Sequence, residues 1–285
     1  MNPVLVDIDT LVQEARGFEP LPDHVVRLAD IVARSDFQVP DLASFFHADE
    51  MLRERLFAWA NQGLQGSPRR VSNVEGAVVR VGPGVLLGLS LGAALAERMQ
   101  RAVPEYGLAE GELWQHSVVV GIAIDQARFH ARTPVEPVGF GAGLVHDIGK
   151  LVLANHLDAK SLDLFRSTEK DLRDEDSEME ILRICHAELG GLVVRRWSLP
   201  ELLAEGVEAH HSPLRGASTA ARRLALHVAL GDAVATQLGH GCGETYTGRR
   251  FGAALAGGLG LSQDGFEALC REVDRRLEGT LSIFH

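Results

Sequence analysis

The stretch that most constrains the fold is Gly141-Ala142-Gly143-Leu144-Val145-His146-Asp147-Ile148-Gly149-Lys150. It places an adjacent imidazole and carboxylate inside an otherwise apolar segment that reads as a buried helix, with a lysine one turn further on. Neither group can be buried alone, because an unpaired charge in an apolar interior is costly. Any fold that buries this segment must therefore bring the pair a partner. A divalent cation satisfies both, since imidazole and carboxylate are ordinary ligands of Zn, Mn, Fe and Ni. The small residues Gly141, Ala142 and Gly143 let neighbouring helices approach and add further ligands. Gly149 is expected to leave backbone uncovered for a substrate or water.

The rest of the chain reads as helices. Apolar residues recur at helical spacing in Leu5, Ile8, Leu11 and Val12, then from Val25 to Val32 after the Glu19-Pro20-Leu21-Pro22 stop with Asp23 as cap. Further helices follow Pro40-Asp41, run through Met51 to Ala60, and cover Val74–Val81 and Val85–Met99 on either side of Gly82-Pro83-Gly84. Pro104-Glu105-Tyr106-Gly107 marks a junction, which divides the chain into an N-terminal bundle over 1–103 and a second helical domain over 104–285. In the second part, helices are expected from Leu113 to about His130, around His146, from a Ser177/Glu180 capping box through His186, from Ser198-Leu199-Pro200-Glu201 to His210, from Ala220 to Leu238 and from Ser262 to Leu281. The charge-dense run 166–178 reads as solvated. No strand-length run of period two stands out, so the fold class is all-α.

Within the second part, histidines and acids recur in apolar settings, about one per helix: His116, His146-Asp147, His186, His210-His211 and Asp232. Each taken singly reads as a core polar residue with its own hydrogen-bond partner. Five buried imidazoles would then need five separate partners. One centre holding one or two cations (Fe, Mn, Zn or Ni) serves all of them, with Asp147 and Asp232 offsetting the charge and Asp147 placed to bridge two ions. His24, His47, His130, His156, His227, His240 and His285 fall outside the grouping and read as solvated or helix-end residues. Ser117 and Cys185 each neighbour a histidine only in sequence, which is not a triad. The glycines over 252–260 lack a strand–turn–helix frame for a dinucleotide loop.

The motif His146-Asp147-Ile148-Gly149-Lys150 resembles the HD superfamily of metal-dependent phosphohydrolases. Leu21-Pro22, Ala48-Asp49-Glu50-Met51-Leu52 to Ala60-Asn61 and Val71-Ser72-Asn73-Val74 resemble the N-terminal half of the HDOD domain family. Trp114-Gln115-His116-Ser117, His186-Ala187-Glu188-Leu189-Gly190, Trp197-Ser198-Leu199-Pro200 and His210-His211-Ser212-Pro213 resemble its C-terminal half, so the likeness spans roughly 18–240. It implies a helical N-terminal bundle packed on an HD-type helical domain, in an output module of bacterial signal transduction. It also implies metal ligation by His116, His146, Asp147, His186, His210, His211 and Asp232, with Lys150 facing a substrate phosphate. After His211 the chain lacks the Glu and Gly-Tyr-Pro run of the cyclic-di-GMP-cleaving branch, which argues against that activity.

Three functions follow as expectations. The first is a signalling module whose pocket holds metal and a nucleotide or phosphate ligand and passes a signal to a protein partner. The second is a working phosphohydrolase, in which Asp147 and Lys150 are the catalytic residues. The third is a structural interaction domain. A net charge of −11 argues against nucleic acid or an anionic membrane as partner. Three scattered cysteines, a start without a signal-peptide pattern and no apolar run long enough for a bilayer point to the cytoplasm.

Overall fold

A computed structural model describes residues 8–34, 36–62, 69–157, 159–167, 175–241 and 251–284. The first six helices are α1 (Ile8–Gly17), α2 (Asp23–Arg34), α3 (Val39–Ala48), α4 (Glu50–Ala60), α5 (Val74–Val81) and α6 (Pro83–Met99). A 3-10 turn at Pro104–Tyr106 leads to α7 (Glu112–Ala127), α8 (Gly139–Val145), α9 (Gly149–Ala154), α10 (Ala159–Ser167) and α11 (Glu175–Leu182). The chain continues through α12 (His186–Arg196), α13 (Glu201–Glu208), α14 (Thr219–Gln237), α15 (Ala253–Leu259) and α16 (Gln263–Phe284). Among the described residues there is no strand; the only bridge pairs Val103 with Leu108. The fold is all-α. Leu5, Cys242, Arg249-Arg250 and His285 lie outside the described residues.

Helix α7 is the axis of the fold. Apart from Gln115, every residue from Leu113 to Ala127 is buried, so its apolar surface goes all the way round rather than along one stripe. It packs against α8, α14, α16 and α6. Elements on the two sides of residue 103 interlock: α1 packs on α12 and α9, and α16 packs on α4 and α6. Trp197 Nε1 donates to the Glu19 carbonyl at 2.9 Å, and Gln62 Nε2 donates to the Arg276 carbonyl at 3.2 Å. No described helix alone is long and apolar enough to cross a membrane; α5 and α6 pass that test only together, and they bend by 104° where they meet.

Local chemistry accounts for several helix starts. Asp49, Asn73 and Ser218 accept from the backbone N–H three residues on, at 3.0, 2.7 and 3.1 Å, each satisfying a donor the helix cannot. Three expected boundaries move. Ser177 lies inside α11 rather than capping it, and α11 ends at Leu182 instead of running through His186. Arg183 there takes a left-handed φ of 66°, Cys185 is extended, and His186 opens a new helix. Pro200 stands at the cap position of α13, not in its first turn. The His146-Asp147 pair also sits between two short helices, not within one. The backbone stays right-handed at His146 and Ile148, but Lys150 N–H reaches back only to Asp147 and Ile148 N–H only to Val145. The pair therefore stands at the junction of α8 and α9.

Candidate metal centre

Five places in the fold supply the site. His116 comes from the middle of α7, His146 and Asp147 from the turn between α8 and α9, and His186 from the first position of α12. His210 and His211 follow the end of α13, and Asp232 lies in the middle of α14. All seven side chains are buried except that of His211, which is partly exposed. Close backbone approach makes the convergence possible. A Cβ on Gly143 would lie 2.7 Å from Gly121 N, where α8 crosses α7, and one on Gly149 would overlap the His186 carbonyl, where α9 meets α12. The open side of Gly149 is thus filled by α12 backbone and is not available to a substrate, contrary to expectation. The reason is that the same missing side chain that would admit a ligand admits a helix.

Asp147 is the hub, and its two oxygens face two groups. Oδ2 lies 3.4 Å from His146 Nε2 and 3.6 Å from His116 Nε2, and His116 Nε2 is in turn 3.6 Å from Asp232 Oδ1. Oδ1 lies 3.3 Å from His186 Nε2 and 4.0 Å from His210 Nε2, and His186 Nε2 is 2.9 Å from His211 Nε2. Ligand atoms of His116, His146 and Asp147 fall within 4.8 Å of one another, as do those of His186, His210 and His211. All seven residues singled out in the sequence are therefore brought together. Lys150 joins them: its Nζ donates to Asp147 Oδ2 at 2.6 Å, and it lies over the Tyr106 ring at 5.8 Å.

The outer nitrogens decide what the inner ones can do. His116 Nδ1 donates to the His240 carbonyl at 2.8 Å, His146 Nδ1 to the Gly143 carbonyl at 2.8 Å, and His210 Nδ1 to the Val207 carbonyl at 2.6 Å. A carbonyl only accepts, so Nδ1 carries the proton and Nε2 of each neutral ring is a lone pair. The lone pairs of His116 and His146 then face each other across 3.2 Å. Burial, outweighing Asp147, lowers His146 to about 3 and, with His186, lowers His210 to about 3. His210 Nε2 is buried without a hydrogen-bond partner among the described residues. Imidazole nitrogens converging around a carboxylate are the donors a divalent cation takes, so the donor set fits one.

The second group is held differently. His186 Nδ1 donates to Glu178 Oε2 at 2.7 Å. Burial would lower His186, but Glu178 and the hydrogen bonds to Asp147 and Glu178 outweigh it and raise the ring to about 9. Burial likewise works to raise Asp147, yet His146 and Lys150 hold its carboxyl well below the usual range.

Glu178 was not anticipated. It sits in the run 166–178 that reads as solvated from its charge, yet it is fully buried. The available signal was its place three residues before Ile181 on the apolar face of α11. His227, expected at the surface, is also fully buried in α14, with Nδ1 donating to the Arg223 carbonyl at 2.8 Å. His47 pairs with Glu75 on the surface. The Cys185 thiol is pushed up by burial, away from the thiolate form.

A sequence profile of the HDOD domain matches residues 18–213. The chain belongs to the HDOD domain family. Its fold is shared by an HDOD domain protein of unknown function from Geobacter sulfurreducens (22% identity, TM-score 0.64, 97% of this chain and 98% of that one). It is shared equally by a proposed phosphohydrolase from Shewanella amazonensis SB2B (20% identity, TM-score 0.64, 96% of each chain). A proposed signal transduction protein from Marinobacter aquaeolei VT8 matches at 22% identity and TM-score 0.68, over 97% of this chain and 64% of that one. An uncharacterized protein from Treponema pallidum (strain Nichols) is 22% identical over 194 residues. That match takes in 67% of this HDOD chain and 37% of the longer protein.

Proposed function

We propose that this HDOD protein is a bacterial signalling module whose HD pocket binds two divalent cations, one at each oxygen of Asp147. The observation that carries the reading is that Nε2 of His116 and Nε2 of His146 stand 3.2 Å apart with both Nδ1 atoms committed to carbonyls. His116, His146, Asp232 and Asp147 Oδ2 would hold one ion; His186, His210, His211 and Asp147 Oδ1 would hold the other. Iron, manganese, zinc and nickel all suit mixed imidazole and carboxylate donors. Bound there, the ions supply a concentrated positive charge for a nucleotide or phosphate ligand. A signalling protein partner reads the result, and nucleic acid and membrane are not partners in this reading. Elemental analysis of protein purified without chelator is expected to find close to two metal equivalents and no turnover of a phosphodiester panel. A metal content near zero, before and after reconstitution, ends the reading.

A second reading, an active phosphohydrolase, draws on one observation: Lys150 places a buried ammonium against Asp147 Oδ2. That ammonium is positioned to neutralise charge developing on a phosphate at the centre. A metal-dependent hydrolysis rate abolished by Asp147→Ala would establish this reading over the first.

A further inference from the structure

Outside the seven converging residues, the buried group with the most specific connections is Glu178, on α11. Its Oε2 accepts from both His186 Nδ1 and the His186 backbone N–H, each at 2.7 Å. Its Oε1 accepts from the Tyr106 hydroxyl at 2.7 Å. Glu178 and His186 are both fully buried, and Tyr106 nearly so.

A carboxylate that receives the backbone N–H of the first residue of α12 is a helix cap, and a cap alone would account for one of these contacts. The other two it does not account for. The ring bond leaves His186 with Nδ1 turned outward and Nε2 turned toward Asp147 Oδ1, 3.3 Å away. Tyr106 steadies the far oxygen of Glu178, and Tyr106 itself belongs to the 3-10 turn Pro104–Tyr106 that links α6 to α7. The three histidines His116, His146 and His210 are oriented by neutral carbonyls. Among these four rings, His186 alone is oriented by an anionic carboxylate.

We propose that Glu178, steadied by Tyr106, is a positioning residue that fixes the His186 ring with Nε2 toward Asp147 as a ligand of the second cation position. The proposal rests on the metal-binding reading above. It assigns to the junction turn a direct hold on one half of the centre: a shift of Tyr106 moves Glu178, and Glu178 carries the ring. An outer carboxylate of this kind typically changes metal affinity about 10- to 100-fold.

The experiment uses the full chain stripped of metal and titrated with Zn2+ against a chromophoric chelator. His116→Ala isolates the second position and His211→Ala isolates the first. Glu178→Gln keeps the shape and an acceptor for the α12 backbone but removes the charge. It is expected to weaken Zn2+ binding about 10- to 100-fold in the His116→Ala background and to leave it unchanged in the His211→Ala background. Tyr106→Phe should give a smaller loss in the same background, about threefold. The metal-free protein supplies a second readout: the His186 ring proton, assigned by its disappearance in His186→Ala, is expected as a slowly exchanging downfield signal that Glu178→Gln moves upfield. Equal loss at both positions, or an unmoved ring proton with unchanged Zn2+ affinity, overturns the proposal. Wild-type protein that takes up no Zn2+ while the ring proton shifts as expected sinks the metal-binding reading and leaves the orientation of His186 by Glu178 standing. Thermal unfolding of each variant separates loss of a ligand from loss of the fold.

Discussion

The two sides of Asp147 use the same donor chemistry on unlike supports. His116 and Asp232 stand in the middle of α7 and α14, two long buried helices that pack on each other. Their side is held by the core, and the histidines there are oriented by carbonyls of uncharged backbone. His186, His210 and His211 stand at a helix start and just past a helix end. Their side depends on capping contacts, on Glu178 and on the approach of α9 to α12. The contrast teaches that one half of the centre is fixed by apolar packing and the other by a short polar relay. Packing tolerates a lost hydrogen bond at a cost of about 1 kcal/mol, whereas a buried relay that loses one member leaves the others unsatisfied at about 1–3 kcal/mol.

The largest expected effect erases the contrast. Asp147→Ala removes the carboxylate whose two oxygens face the two sides and leaves the Lys150 ammonium buried without it. Metal content should fall to background at both positions, and stability should drop by about 3–5 kcal/mol, read by denaturant unfolding. Unchanged metal content would mean that Asp147 is not the hub.

The two glycine crossings test each side separately. Gly149→Ala forces a methyl group against the His186 carbonyl and should separate α9 from α12. Gly143→Ala forces one against Gly121 and should separate α8 from α7. Each should cost about 1–3 kcal/mol or more, since the obstacle is backbone. With Zn2+ titration as the measure, Gly149→Ala should weaken the His186 side and Gly143→Ala the His116 side. The reverse assignment would break the division of the site.

Metal removal bears on both halves together. Chelator treatment should lower stability by about 2.7 kcal/mol for each ion present at a hundred times its Kd, detected as a concentration-dependent melting temperature. A melting temperature indifferent to added Zn2+ would contradict the site.

The smallest effects come from single ligands. Asp232→Asn should cost one cation position about 10-fold in affinity and spare the other.

Much of this arrangement was legible in the chain itself. The helical period of Val25–Val32, Val74–Val81 and Ala220–Leu238 fixed all-α architecture, because apolar side chains at that spacing can be buried only on a helix. The seven polar residues stood out because each interrupts an apolar run, and burial makes such an interruption costly unless it is answered. Glu178 and His227 were misread because charge and helix position are weak guides to depth when a neighbouring helix covers the residue. Gly149 was misread because a missing side chain has the same signature whether solvent or backbone fills the gap.

By itself, then, the sequence determined that this chain is helical and that its His146-Asp147 pair needs partners, since period and desolvation cost are local properties of residues. Only the tertiary structure decided that Asp147 divides the centre in two, that three imidazoles are turned by carbonyls and a fourth by Glu178, and that α12 closes over Gly149. These depend on distances between segments far apart in the chain, and spacing along a chain carries no record of which nitrogen of a ring faces inward.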